Sequence, residues 1–281
     1  MPFQQLNKQE LKQYLQRIHS DENLPPTLST LEIIHRQHAL NIPFENLNPW
    51  LGIPVVLTKD ELLKKIATHQ RGGYCFEHNL LLGHVLTTLG FAVQGLAARV
   101  NWMQPPEAVL PRTHMALLVT IDEVRYLADV GFGGLTLTSA LQLDTDAPQA
   151  TSHETFRIKQ REQNFTLEVQ LNNTWQEMYS FTLAQQMQPD YEMANWFVAT
   201  HPESRFVNNL IAGRVDTDGR HALQNRHYTR YYVNKPSQKS ELSSVDAMRT
   251  LLHEQFRIET ANVPGLDARL AKLCNTSSTS F

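Results

Sequence analysis

Arg71-Gly72-Gly73-Tyr74-Cys75-Phe76-Glu77 is the run of the chain with the most chemistry in it. Two glycines permit a sharp turn and leave space around a thiol. An apolar helix is expected to start near Cys75 and end at Gly90. Its first N–H groups and the positive end of its dipole would then face the sulfur. Both effects favour thiolate, the nucleophilic form of cysteine. The same run also fits a small buried cysteine behind a helix-breaking Gly-Gly, and the local sequence leaves both readings open.

A nucleophilic cysteine needs a base, and the base needs a group to orient it. Thr113-His114-Met115 and Ala128-Asp129-Val130-Gly131 follow downstream. A hairpin closed at Asp122-Glu123 makes opposed residues sum to 245, which sets Asp129 across from Ala116. His114 then lies on the same face as Ala116, diagonal to Asp129 and within side-chain reach. A turn of odd length would separate them. The chain has 12 histidines, so His114 alone carries little weight; the pairing across one hairpin lifts it. Cys75, His78, His114 and Asp129 are also metal-ligand types. With no second C-x-x-C and no H-E-x-x-H, no metal is expected, and His78 is read as facing outward or making a polar contact.

The elements that must hold these residues follow from periodicity. Leu11, Tyr14, Leu15 and Ile18 mark a first helix. A second runs from about Thr30 to Ala39 and stops before Pro43. Thr58 to Glu61 has the form of a capping box, opening a helix expected to end at Gly72-Gly73. From Phe91 the pattern changes to strands: 91–102, 115–121, 124–132, 155–158, 165–171 and 175–179. Beyond about Ala184 the signal is mixed, with a turn at Asp216 to Gly219, a strand over 228–233 and a closing helix over 244–256. The class is α+β: helices, then antiparallel strands, then a smaller α/β unit.

The 281 residues carry 25 Lys and Arg against 28 Asp and Glu, a net charge of −3. That balance gives no bulk attraction for nucleic acid or an anionic membrane. Cys75 and Cys274 are the two cysteines, too few for a disulfide scaffold. Cys274 is placed in a frayed polar tail. The first residues lack an apolar signal segment, and no run is long enough to span a bilayer. A cytoplasmic protein is expected.

Five segments, in order, carry a family resemblance: Ile42-Pro43-Phe44-Glu45-Asn46-Leu47, the Arg71 to Glu77 run, Pro111-Arg112-Thr113-His114, Ala128-Asp129-Val130-Gly131-Phe132-Gly133-Gly134 and Ser204-Arg205-Phe206. In them the chain resembles the bacterial arylamine N-acetyltransferases over roughly residues 1 to 260. The resemblance implies a helical bundle over 1–90, an antiparallel β-barrel over 91–196 and an α/β lid over 197–281. It implies a catalytic triad of Cys75, His114 and Asp129. The acetyl group of acetyl-CoA would pass to Cys75, then to an arylamine, arylhydrazine or N-hydroxyarylamine, by ping-pong kinetics. Phe44, Phe132, Phe206 and Val100 match substrate-pocket positions; Gly133, Gly134 and Thr136 match a loop near the donor's phosphates. Ala98-Arg99-Val100 replaces the family's G-R-V by an alanine, which bears on where Val100 sits. The partners implied are small aromatic amines or hydrazines and coenzyme A, with no tightly bound cofactor; a homodimer is compatible. The competing readings are a cysteine hydrolase or transglutaminase-like acyl transfer, an amide synthase with a larger acyl donor, and a non-catalytic binding module.

Overall fold

The computed structural model describes residues 3–21, 24–105 and 107–275. Helix α1 (Lys8–Arg17) is capped by Asn7, whose side chain accepts from the Glu10 N–H while Glu10 reaches back to the Asn7 N–H. Helix α2 (Leu28–Asn41) stops as expected, with Ile42 extended before Pro43. Strand β1 (Phe44–Glu45) and the short helix α3 (Leu47–Leu51) follow. Helix α4 (Lys59–Leu63) begins after Thr58, but the Thr58 side chain makes no cap bond. It continues as a π-turn over Lys64–Thr68 and not to Gly72-Gly73. Gln70 then adopts a positive φ of 49° and the Arg71 N–H bonds the Lys65 carbonyl at 3.1 Å, which ends the helix. Helix α5 (Cys75–Thr88) is buried along nearly its whole length. It is the spine against which the other helices pack through Tyr14, Leu31, Ile34, Leu62, Ile66, Leu80 and Leu81.

Eight antiparallel strands come next: β2 (Ala92–Val100), β3 (Arg112–Ile121), β4 (Val124–Ala128), β5 (Leu141–Gln142), β6 (Gln149–Ala150), β7 (Thr155–Arg161), β8 (Asn164–Leu171) and β9 (Thr174–Phe181). Their order is β5-β4-β3-β2-β9-β8-β7-β6. The two edges are tied by one side chain. Gln149 accepts from the Gln142 N–H at 2.8 Å and donates to its carbonyl at 2.9 Å, so the sheet curls into a nearly closed barrel. Leu96, Ala116, Leu127, Phe156, Leu167 and Tyr179 fill its interior. The β3–β4 hairpin has the register in which partners sum to 245, Leu117 opposite Ala128 and Ile121 opposite Val124. Asp122 and Glu123 turn it with φ of 48° and 67°, the type I′ geometry that matches strand twist. Strand β4 stops at Ala128, not at Phe132, because the next backbone N–H groups bond side chains of the helical region.

The mixed signal after Ala184 resolves into helices α6 (Gln188–Thr200) and α7 (Arg205–Asn208) and strands β10 (Ile211–Asp216), β11 (Gly219–Gln224), β12 (His227–Tyr232) and β13 (Gln238–Glu241). Helices α8 (Val245–Glu254) and α9 (Leu266–Asn275) close the chain. The second sheet runs β1-β10-β11-β12-β13, so a strand from the helical region forms its edge. Leu47 and Trp50 likewise share a core with Leu223, Met248, Leu252 and Phe256. Position 196 falls inside α6. Cys274 is not in a frayed tail: it lies in α9, half-buried against this third core, while the tail beyond it, 276–281, lies outside the described residues. Both cysteines are free thiols. No helix among the described residues is long and apolar enough to cross a membrane.

Candidate active site

Cys75 occupies the first position of α5 because the preceding turn is clamped from both sides. Gly73 forms a parallel bridge to Phe44, and its carbonyl accepts the Glu45 N–H at 2.8 Å. A Cβ on Gly72 would stand 1.9 Å from the Pro43 carbonyl oxygen, so only glycine lets the two segments meet. Glu77 caps the helix by accepting the Tyr74 N–H at 3.1 Å and is paired with Lys65 at 2.6 Å. Glu45 is fully buried against Arg71 at 2.7 Å and accepts the Leu47 N–H. Burial would push its carboxyl up, but the Arg71 and Lys65 charges bring it down to about 2.

The hairpin delivers the other two groups. His114 on β3 and Asp129 just beyond β4 are both buried, with Nε2 and Oδ2 2.7 Å apart. Burial opposes charge on His114. The Asp129 carboxylate overrides it, and hydrogen bonding and charge at Cys75 add to that, so the imidazole is raised to about 10. Asp129 in turn is held below the usual carboxylate range. Its burial is outweighed by His114, the Asn79 amide and the Gly131 N–H, the last two each 2.9 Å from Oδ1. The Cys75 sulfur also lies 3.6 Å from the Thr113 carbonyl oxygen. The Cys75 sulfur, the His114 imidazole and the Asp129 carboxylate thus stand in succession, able to exchange a proton and to attack an electrophilic carbonyl.

Asn79 was not legible as a site residue, although it sits one helical turn after Cys75 on the same face. Its amide bonds the Met115 carbonyl at 2.7 Å and Asp129, and its oxygen accepts the Val130 N–H at 3.1 Å. It therefore fixes both sides of the hairpin to the helix that carries Cys75. Tyr179 on β9 was also missed; its ring packs 4.8 Å from that of His114 and 5.5 Å from that of Phe132. Only the fold could reveal it, since β9 pairs directly with β2, distant in sequence, with Val100 opposite Tyr179.

Cys75 and His114 open onto a cleft of about 1110 Å³ whose walls also include Phe44, Val100, Phe132 and Phe206, with Asp129 buried behind the imidazole. Phe44 and Phe206 are 5.9 Å apart by ring centroid, and Phe132 meets the His114 ring edge-on at 5.3 Å. Asn46 holds the Phe206 wall in place. Its amide donates to the Phe206 and Asn209 carbonyls at 2.8 and 2.7 Å, and its oxygen accepts the Ile211 N–H at 2.7 Å. Ala98 fits its strand without a glycine's freedom; a bulge between Ala98 and Arg99 follows, and Val100 still lines the cleft. Gly133 and Gly134 line it as well, Gly133 with a φ of 91°. Thr136 does not: its hydroxyl bonds the Gly133 N–H and carbonyl at 2.8 and 2.9 Å and braces that turn from behind. His78 does not face outward; it makes the polar contacts of its alternative reading. Both its ring nitrogens are engaged inside the bundle, so no ligand pair forms with Cys75.

Gly131 completes the floor. A Cβ there would stand 2.7 Å from the Cys75 Cα and 2.9 Å from the Asn79 amide nitrogen. Gly131→Ala is expected to destabilise the fold by about 1–3 kcal/mol through overpacking. By shifting the sulfur it should lower turnover about 10²-fold. Thermal unfolding and steady-state rates check the two numbers separately.

Comparison with known proteins agrees with this fold. Residues 27–263 match the N-acetyltransferase family model. The chain is 40% identical over 273 residues to the arylamine N-acetyltransferase of Mycolicibacterium smegmatis, across 95% of this chain and 99% of that one. It is 36% identical over 254 residues, 90% of each, to the arylamine N-acetyltransferase / N-hydroxyarylamine O-acetyltransferase of Salmonella typhimurium. The solved structure of the Mycobacterium marinum arylamine N-acetyltransferase in complex with CoA matches with a TM-score of 0.90 at 38% identity, covering 94% of this chain and 99% of that chain. Fold and sequence thus converge: the chain belongs to the arylamine N-acetyltransferase family of acyltransferases.

Proposed function

We propose that this protein transfers the acetyl group of acetyl-CoA to arylamines, arylhydrazines or N-hydroxyarylamines through an acetyl-Cys75 intermediate. The observation that carries the proposal is the single imidazole held between Asp129 at 2.7 Å and the Cys75 sulfur, at the wall of an aromatic cleft. In the first half-reaction the Cys75 thiolate attacks the thioester carbonyl. The C–S bond of the donor breaks, and coenzyme A leaves with the proton of His114. One thioester replaces another, so the step is nearly balanced in free energy. The backbone N–H of Cys75, at a helix start without an intrahelical partner, is placed to receive the carbonyl oxygen's developing charge.

The second half uses the change this makes at His114. Acetylation removes the hydrogen bond and charge of Cys75 that help to hold the imidazole's proton. Its basicity falls toward the range useful for a general base. An aromatic amine is neutral at ordinary pH, so its nitrogen attacks the acetyl carbonyl directly. His114 accepts the proton lost from nitrogen, the Cys75–carbonyl bond breaks, and the thiolate–imidazolium pair is restored. Asp129 stabilises the imidazolium each time it forms. Phe44, Phe132, Phe206 and Val100 offer a flat apolar slot for the aryl ring. The Gly133-Gly134 turn, braced by Thr136, is assigned to the donor's phosphates.

Initial rates of coenzyme A release, measured with acetyl-CoA against a panel of anilines, hydrazines and N-hydroxyarylamines, test the reading. Parallel double-reciprocal lines are expected, because the donor product leaves before the acceptor binds. Intersecting lines would contradict the acetyl-enzyme route. Cleavage of peptides or release of ammonia from glutamine substrates, with no aryl acetylation, would favour the hydrolase or transglutaminase-like chemistry instead.

A further inference from the structure

Helix α5 carries a buried histidine, His78, that acetyl transfer does not use. His78 Nε2 lies 3.1 Å from the Pro43 carbonyl oxygen and 3.1 Å from that of Gly73. Its Nδ1 lies 2.8 Å from His38 Nε2, and His38 Nδ1 lies 2.8 Å from the Tyr14 hydroxyl. Tyr14, His38 and His78 are all without solvent exposure. Carbonyl oxygens only accept, so His78 Nε2 must carry the hydrogen. A neutral imidazole then accepts at Nδ1, which makes His38 donate from Nε2 and accept from Tyr14 at Nδ1. The chain of bonds has one polarity from Tyr14 to the two carbonyls. Burial, the largest cause in each case, drives His78 down to about 4 and His38 well below its ordinary value, so both rings are neutral as this polarity requires.

The two carbonyls at its end belong to the two segments that build the active site. Pro43 precedes Phe44 of the aryl slot, and Gly73 lies two residues before Cys75; Phe44 and Gly73 are bridge partners. The Phe44 ring lies parallel to the His78 ring, 8° apart, with centroids at 6.4 Å. One imidazole therefore touches both the slot and the nucleophile's turn.

We propose that His78, supported by His38 and Tyr14, is a positioning residue that fixes the separation between the aryl slot at Phe44 and the sulfur of Cys75. The proposal rests on the acetyl-transfer reading for its kinetic consequences but not for its spectroscopic one. At about pH 7, nitrogen–proton correlation spectra of the imidazoles should show His78 and His38 as neutral Nε2–H tautomers, assigned by difference with the single variants. His78→Gln keeps an N–H donor near the Nε2 position. It should retain the burst of coenzyme A release to within about threefold, a change of the size one hydrogen bond makes. His78→Leu keeps the volume and loses every bond. It should slow the burst by about 10–100-fold and raise the KM for an aniline in the same variant. Tyr14→Phe removes the far donor at little cost in shape, and should slow the burst by about threefold.

An Nδ1–H tautomer at either ring would overturn the proposal. So would a folded His78→Leu with wild-type burst and KM, or a His78→Gln as slow as His78→Leu. If His78→Leu does not fold, an unaltered burst in Tyr14→Phe overturns it. A wild-type protein that gives no burst contradicts the acetyl-transfer reading, while the tautomer pattern still decides the role of the histidine chain.

Discussion

Cys75→Ser is expected to lower kcat/KM for arylamine acetylation by about 10⁴-fold or more, the scale seen when a triad nucleophile is lost. The hydroxyl is close in size to the thiol and Cys75 is almost wholly buried at the cleft wall, so thermal unfolding should stay near that of the wild type. What changes is ionisation. A serine hydroxyl does not give up its proton to an imidazole in the ground state as a thiol does. The prediction is checked by rates with an aniline acceptor alongside near-ultraviolet circular dichroism. Retained activity would place the nucleophile elsewhere. An unfolded variant would assign Cys75 to packing and withdraw the kinetic argument.

The second large effect belongs to Asp129. In Asp129→Asn the atom that meets Asn79 and Gly131 must remain an oxygen, because both partners donate to it. The amide nitrogen then takes the other position and donates to His114 Nε2. That nitrogen is forced to be the unprotonated one, and the N–H moves to the side facing Cys75. The imidazole can no longer take a proton from that side. A loss of about 10⁴-fold in kcat is expected, the size that a wrong tautomer produces. The pH dependence of stability should change with it. In the wild type the folded imidazole is raised from 6.5 to about 10, chiefly by Asp129 acting against burial. A raised group contributes its full stability below 6.5 and loses it as pH rises through about 10. The melting temperature should therefore fall between those pH values in the wild type, and this slope should flatten in the variant. A variant with unchanged slope would show that the carboxylate does not hold the proton on His114.

Much of this site was legible because its signals are local. The β3–β4 hairpin closes on two residues, and its register follows from counting outward from Asp122 and Glu123; that count alone brings His114 beside Asp129. The helix start at Cys75 follows from the glycines before it. Other features depend on contacts far apart in sequence. Nothing near Thr58 tells a capping box from one whose threonine is unused. The early end of β4 requires His35 and Asn79, which lie 94 and 51 residues from the N–H groups they bond. Of the two readings of His78 the polar contact holds and the outward one fails for the same reason: helical position sets a face, but only the packing of α2 and β1 decides that this face is buried. The turn at Asp216 to Gly219 and the strand over 228–233, found as β12, are visible, whereas β10 and β11 are not, and β10 gains its stability from partners such as β1. Thr136 matched a motif yet does not line the cleft, its hydroxyl being turned onto the Gly133 backbone, since spacing fixes the turn and not the direction of its side chains.

Intact-protein mass after mixing with acetyl-CoA, without acceptor, is the most direct test of the central claim. One acetyl group should appear per chain, map to Cys75 on digestion, be absent from Cys75→Ser, and disappear when an aniline is added with formation of the acetanilide. No adduct, or an adduct on another residue that an aniline discharges at the turnover rate, would contradict the account.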